Sequence, residues 1–197
     1  MRTTIALTQA GDIVRKRRLH DLDGRTEFWI AQSPWVRLEA VEAIRQTRMT
    51  PNPDFREFIA LLEKRGVEFL IVGGYAVGFH GFPRYTGDCD ILVAVSKRNA
   101  AAIVAVFSEF GLKEADFLEE DMIVEIGREP MKIQILTGVD GVKFDACYRR
   151  RVFCDVDGIK LPFIALEDLM ANKAASPRAK DKIDLEELRK IRDQDWS

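Results

Sequence analysis

The stretch that decides the fold runs from Phe69 to Val95 and reads FLIVGGYAVGFHGFPRYTGDCDILVAV. It opens with a short apolar, β-branched run that is typical of a buried strand and ends at Gly73-Gly74. One or two helical turns are predicted after the glycines, and a second strand over residues 88–95. Glycines let backbone amides approach an anion closely, and a helix N-terminus adds partial positive charge. The pattern suits a triphosphate, although an ordinary tight turn has the same sequence.

Two acidic residues begin the second strand. Asp88 and Asp90 are two residues apart, so both project from one face, roughly 6–7 Å apart along the chain. Two carboxylates on one face repel each other, and a divalent cation removes that repulsion. Oxygen ligands of this kind suit Mg²⁺. The alternative is a solvent-facing strand start whose aspartates only cap a turn, and the nearby glycine pair favours the metal site.

This combination resembles the polymerase-β-type nucleotidyltransferase superfamily, whose signature is a Gly-Gly after a strand and an Asp-x-Asp that starts the next one. The closer resemblance is to small bacterial nucleotidyltransferases of toxin–antitoxin and abortive-infection systems. It covers roughly residues 54–190, and the matching stretches are residues 72–90, 132–144, 166–173 and 178–188.

The resemblance implies Mg²⁺-dependent transfer of a nucleoside monophosphate from a nucleoside triphosphate to a hydroxyl. Two metal ions held by Asp88 and Asp90 would activate that hydroxyl and stabilise the leaving pyrophosphate. Gly73 and Gly74 would line the triphosphate. Arg84 would pair with phosphate oxygens through its planar fork, unless it is a surface or aspartate-paired arginine.

The likeness extends to the C-terminal part of the chain. Lys173 matches a lysine that such enzymes point at the nucleotide, and its alternative is a solvated helix end. Four further residues match the family's terminal pattern, which orients Lys173 or binds substrate; a solvated charged helix is the alternative for each of them (Arg178, Lys180, Asp181, Asp184).

One position departs from the family pattern. Related enzymes supply a third carboxylate from a neighbouring strand, whereas the matching position here is Gln134. A glutamine cannot accept the proton of the acceptor hydroxyl, and its neutral oxygen binds metal less well. Asp145 and Glu125 are the candidates to replace it, with Asp145 taken as the catalytic one. A catalytically weakened nucleotide-binding protein is the other interpretation.

The rest of the chain predicts an α/β (α+β) fold, with a mixed central sheet flanked by helices in a nucleotidyltransferase domain over residues 51–197. Residues 1–50 are expected to form an appendage without strands beyond its first few residues. Its main feature is a short amphipathic helix that starts at Ser33-Pro34. Two closing helices are expected at about 165–173 and 179–192.

Composition narrows the function classes. The chain has 197 residues, with 30 Lys+Arg and 32 Asp+Glu, which gives a formal net charge of -2. This charge does not suggest a general polyanion binder, but it permits a local basic patch. The three cysteines form no closely spaced pair, which is typical of a protein whose thiols are reduced. No signal peptide or membrane-spanning segment is visible in the sequence, so a cytoplasmic protein is expected. The expected acceptor is a protein or RNA, with a cognate antitoxin as a possible partner; the alternative is an antibiotic-type small molecule.

Overall fold

The structure is a computed structural model. It describes residues 4–6, 13–18, 53–82, 84, 86–112, 117–128, 131–156 and 159–194. Within these residues a single sheet has the order β1-β2-β5-β6-β4-β3-β8-β7. The strands are β1 (Thr4–Ala6), β2 (Ile13–Arg18), β3 (Phe69–Val72), β4 (Asp88–Val93), β5 (Met122–Arg128), β6 (Met131–Leu136), β7 (Val152–Val156) and β8 (Ile159–Phe163).

Helices connect these strands. In the described part of the chain they are α1 (Pro53–Lys64), α2 (Gly73–Phe79), α3 (Lys97–Glu109), α4 (Phe144–Arg150), α5 (Leu166–Ala175) and α6 (Ala179–Gln194). Both parallel and antiparallel pairs occur, since β3 runs parallel to β8 and antiparallel to β4. The predicted α+β fold with a mixed central sheet and flanking helices is therefore confirmed.

The register of the central strands sets the positions of the acidic residues. Val72, the last residue of β3, is the antiparallel partner of Asp90 in β4. On its other side β4 runs parallel to β6, which pairs Asp88 with Lys132 and Asp90 with Gln134. The end of β3 that leads into the Gly-Gly turn therefore lies beside the start of the strand that carries both aspartates.

Helices α1 and α3 are stabilised by burial of their apolar faces in the core. Apolar residues recur at helical spacing in each and are buried, with Phe58 from α1 and Phe107 from α3 meeting edge to face at 6.2 Å. The Ser96 side chain accepts a hydrogen bond from the Asn99 backbone N–H and caps α3. Asn99 is itself buried and bonds the backbone of Glu68, which joins the start of α3 to the segment before β3.

The N-terminal segment contains one element that the sequence did not predict. Ile13–Arg18 forms strand β2, which pairs antiparallel with β5 and extends the sheet, although no strand was expected beyond the first few residues. Its sequence, IVRKRR, lacks apolar–polar alternation, so its pairing with β5 and not an internal pattern defines it as a strand. The helix expected from Ser33-Pro34 lies outside the described residues.

Two further points concern the helices. Helix α4, with seven residues, was not predicted. None of the helices in the described ranges combines the length and the apolar character that crossing a bilayer requires.

Candidate active site

The Gly-Gly turn and the second aspartate are in direct contact. Gly73 has φ +63°, a backbone conformation that favours glycine, and a Cβ at this position would lie 2.7 Å from Cγ of Asp90 and closer still to its Oδ2. A Cβ at Gly74 would lie 2.5 Å from Oγ1 of Thr86. Both glycines are therefore required where they stand, because the carboxylate of Asp90 and the side chain of Thr86 fill the space that a side chain would need.

Both aspartates lie on one face of β4. Asp88 is 7% exposed, and Asp90 is partly exposed. The Thr86 hydroxyl donates to the Asp88 carbonyl oxygen at 3.2 Å, which ties the segment before β4 to the strand start. The structure therefore brings Gly73, Gly74, Asp88 and Asp90 together at one end of the sheet. Two carboxylates beside a glycine turn are a donor set that fits a hard divalent cation such as Mg²⁺.

Gln134 lies next to Asp90 and is buried at 1% exposure. Its Nε2 donates to Oε1 of Glu125 at 2.9 Å, and Nζ of Lys132 lies 3.3 Å from the same oxygen. Glu125, the antiparallel partner of Gln134, is 3% exposed. Glu125 therefore lies one strand beyond the position where related enzymes are expected to carry an acid.

Arg84 is bound by an aspartate. Its Nε and Nη2 donate to the two carboxylate oxygens of Asp184 at 2.5 and 2.6 Å, a bidentate pair with Asp184 fully buried. This arrangement is the aspartate-paired alternative that the sequence left open. In this structure the guanidinium connects the loop before β4 to helix α6.

Lys173 belongs to the same ionic network. It is 3% exposed, and its Nζ lies 2.5 Å from Oδ1 of Asp181 and 3.0 Å from Oδ2 of Asp184. Arg178 also donates to Asp181, at 2.5 Å. The terminal pattern thus surrounds Lys173 with two buried carboxylates and clamps α5 to α6. We call Arg84, Lys173, Asp181 and Asp184 the buried ionic network.

The electrostatics of the network follow from this pairing. Burial acts to raise the pKa of Asp181, but the opposing charge and hydrogen bond of Lys173, with the Ser176 hydroxyl and Arg178, lower it to about 2. Burial likewise acts to raise the pKa of Asp184, and the stronger pull of Arg84 and Lys173 lowers it. Both carboxylates are therefore ionised at neutral pH.

The charges of Asp88 and Asp90 both act on the pKa of Lys180, the second residue of α6. Its pKa is lowered, first by burial and then by the charge of Arg84, while the negative charges of Asp88, Asp184 and Asp90 act in the opposite direction. The side chain of Lys180 is exposed at the start of α6. The sequence included Lys180 only as one member of a terminal pattern, because nothing along the chain links residue 180 to residue 88.

The catalytic role of Asp145 stays a prediction. Asp145 lies in the first turn of α4, outside the strands that carry the other polar residues, and its side chain is exposed. Of the two residues that the sequence offered in place of Gln134, Glu125 is the one in register with it.

Three solved structures are distantly similar to this chain. The lincosamide antibiotic adenylyltransferase LnuA with bound lincomycin has 16% identity and a TM-score of 0.49 over 72% of this chain and 98% of that chain. A putative nucleotidyltransferase from Thermotoga maritima has 22% identity and a TM-score of 0.46 over 71% and 90%. The antibiotic-resistance factor ANT(2'')-Ia has 13% identity and a TM-score of 0.46 over 72% and 88%. Likeness at this level says nothing about the substrate of this chain.

Sequence comparison is more decisive. No curated protein matches the chain. A family profile described as nucleotidyl transferase of unknown function (DUF2204) matches residues 52–196, which is the greater part of the 197 residues and includes the glycine turn, the aspartate pair and the buried ionic network. The chain therefore belongs to this nucleotidyl transferase family.

Proposed function

We propose that the chain transfers a nucleoside monophosphate from a Mg²⁺-bound nucleoside triphosphate to a hydroxyl group, with Asp88 and Asp90 as the metal ligands. The contact between Gly73 and the Asp90 carboxylate supports this most strongly, because it sets a phosphate-binding turn against a metal-binding side chain. When bound, Mg²⁺ would stabilise negative charge on the phosphates.

The residues of the chain have separate tasks in this reaction. Gly73 and Gly74 let the backbone approach the triphosphate, and the pairing of Val72 with Asp90 holds the carboxylate beside it. Lys180, whose charge interacts with both aspartates, would stabilise the negative charge that the leaving pyrophosphate gains. The buried ionic network holds α6, and with it Lys180, against the loop that carries Arg84.

The chemical step is a displacement at the α-phosphorus. The acceptor oxygen forms a new bond to this phosphorus, and the bond from phosphorus to the oxygen bridging the α- and β-phosphates breaks. Pyrophosphate leaves with that electron pair, and the hydroxyl proton passes to water.

A surface on edge strand β7 supports a macromolecular acceptor, and RNA in particular. Phe153 is 54% exposed on edge strand β7, and the Arg151 guanidinium carbon lies 3.9 Å from the Tyr148 ring centroid and 5.1 Å from that of Phe153. Arg149 is exposed on the same segment. Exposed rings bind bases by stacking, and arginines bind phosphates. Strand β7 lies three strand positions from β4, about 14 Å at ordinary strand spacing.

A transfer assay tests the reaction. Purified protein is incubated with Mg²⁺, the four nucleoside triphosphates labelled at the α-phosphate, and either RNA, protein or small-molecule acceptors such as lincosamides and aminoglycosides. We expect label on RNA, and loss of transfer in Asp88→Asn and Asp90→Asn but not in Glu167→Gln, an exposed carboxylate on α5. Absence of label on every acceptor would contradict the proposed reaction.

The acceptor class has its own control. Phe153→Ser should weaken transfer to RNA, whereas Leu118→Ser, which removes another exposed apolar side chain, should not. Label on the small molecules alone would replace the macromolecular acceptor with the small-molecule alternative, the acceptor type named for the lincosamide enzyme.

A toxin-like role with a cognate antitoxin completes the proposal, and it rests on the resemblance to toxin-type enzymes. Expression in a bacterial host should slow growth for the wild type and not for Asp90→Asn. Equal growth of the two strains at equal protein level would remove the toxin-like role and leave the reaction standing.

A further inference from the structure

One row of side chains across strands β4, β6 and β5 bears on the number of metal ions that the site can hold. Asp90, Gln134 and Glu125 are successive register partners across strands β4, β6 and β5. Directly paired residues project from the same face of a sheet, about 5 Å from one strand to the next. The three side chains therefore form a line in which a neutral amide separates two carboxylates.

The orientation of the amide follows from chemistry. An ionised carboxylate can only accept hydrogen bonds, and the Gln134 amide meets Oε1 of Glu125 at 2.9 Å, so Nε2 of Gln134 is the atom turned toward Glu125. Both side chains are almost fully buried. Glu125 thus fixes Gln134 as a hydrogen-bond donor toward β5 and does not itself replace the missing acid beside Asp90.

The charge of Glu125 is balanced within the sheet. Nζ of Lys132 lies 3.3 Å from the same carboxylate oxygen that accepts from Gln134. Lys132 is also the register partner of Asp88, so a positive charge lies beside the first aspartate. We call Glu125, Lys132 and Gln134 the Glu125 cluster; it adds no uncompensated negative charge to the site.

The site beside Asp88 and Asp90 lacks the third carboxylate that a second divalent cation would need. Two divalent ions of a two-metal site lie about 3.5–4 Å apart, and shared carboxylates offset their repulsion. The aspartate pair gives two carboxylates, and the third position is a neutral amide. Among the described residues, no group of three or more acidic, histidine or cysteine side chains is placed to hold a metal ion.

We propose that the site binds a single divalent cation, the one that accompanies the triphosphate, and that Gln134, held by Glu125 and Lys132, is what limits it to one. This inference rests on the proposed function. It departs from the two-metal arrangement that the family resemblance implies, and it follows from the side chains that this chain places beside Asp90.

Equilibrium dialysis tests the metal count without requiring turnover. The protein is dialysed against Mn²⁺ and the α,β-methylene analogues of ATP, GTP, CTP and UTP, each in turn, and the metal and nucleotide retained with the protein are measured together. We expect one Mn²⁺ per retained nucleotide. Gln134→Asp adds the third carboxylate and should raise the ratio to two, while the neutral variant Gln134→Asn should keep it at one.

Each outcome has a separate meaning. A ratio of two in the wild type overturns the single-cation inference and leaves the proposed reaction standing. No retained nucleotide with any of the four analogues overturns both. A ratio of one in a folded Gln134→Asp protein contradicts the role given to Gln134, and if that variant does not fold, the wild-type ratio still decides the count.

Discussion

Replacing Gly73 with alanine perturbs the contact on which the site depends. At φ +63° a non-glycine residue costs about 1–2 kcal/mol of folding free energy, whatever surrounds it. In addition, the new Cβ would stand 2.7 Å from Cγ of Asp90 and needs 3.4 Å for ordinary contact. The carboxylate carbon or the turn must therefore move by 3.4 − 2.7 = 0.7 Å or more.

Gly66 supplies a matched control. It has φ +65°, and a Cβ there would meet nothing within 4 Å. Gly66→Ala should therefore lose the same 1–2 kcal/mol, roughly 2–8 °C in Tm, and keep its activity. Gly73→Ala should show a comparable stability loss and, because a displacement near 1 Å at a reacting centre costs about 100-fold in rate, a fall in kcat/KM of about that size.

The assay combines urea denaturation with label transfer from the α-phosphate, on both variants and the wild type. If Gly73→Ala folds and transfers label as well as Gly66→Ala, the contact between Gly73 and Asp90 is not needed for activity. The same conclusion follows if both variants lose activity to the same degree, because backbone strain alone would then explain the loss.

Three further predictions concern the buried ionic network. Lys173→Met leaves the buried carboxylates of Asp181 and Asp184 without their shared cation. Urea denaturation should show that the free energy of unfolding falls by about 3–5 kcal/mol, and a fall below about 1 kcal/mol would contradict the pairing. The pKa of Asp181 is lowered from 3.8 to about 2 in the folded protein, so its contribution, about 2 kcal/mol, is complete above about pH 5 and is lost as the pH falls toward 2. In a denaturation series across this range the wild type should lose about 2 kcal/mol more than Asp181→Asn, and an equal loss in the two proteins would contradict the pairing. Arg84→Lys keeps the charge but loses the bidentate geometry with Asp184, so calorimetry should show a lower Tm, and an unchanged Tm would mean that the fork contributes nothing.

The sequence predicted the parts of the site that are local. The Gly-Gly turn and the Asp-x-Asp pair are each set by adjacent residues, and their contact follows once two neighbouring strands pair. The two closing helices, expected at about 165–173 and 179–192, were also predictable and form at Leu166–Ala175 and Ala179–Gln194.

The parts that the sequence could not predict depend on partners distant along the chain. The alignment of Glu125 with Gln134 is fixed by the register of β5 and β6, and a shift of one residue would turn Glu125 to the other face. Arg84 meets Asp184 a hundred residues later, so an exposed phosphate-binding arginine and a buried paired one look alike in sequence. Strand β2 is recognisable only from its pairing with β5.

Asp90, held against Gly73, is expected to bind the metal–triphosphate complex. Titration calorimetry of the α,β-methylene nucleoside triphosphates with Mg²⁺ into the wild type, Asp90→Asn and Glu167→Gln tests it directly. We expect Glu167→Gln to bind like the wild type and Asp90→Asn to bind at least about tenfold more weakly, a loss of 1.4 kcal/mol or more. Equal affinity of all three proteins, or no binding by the wild type, would contradict the claim.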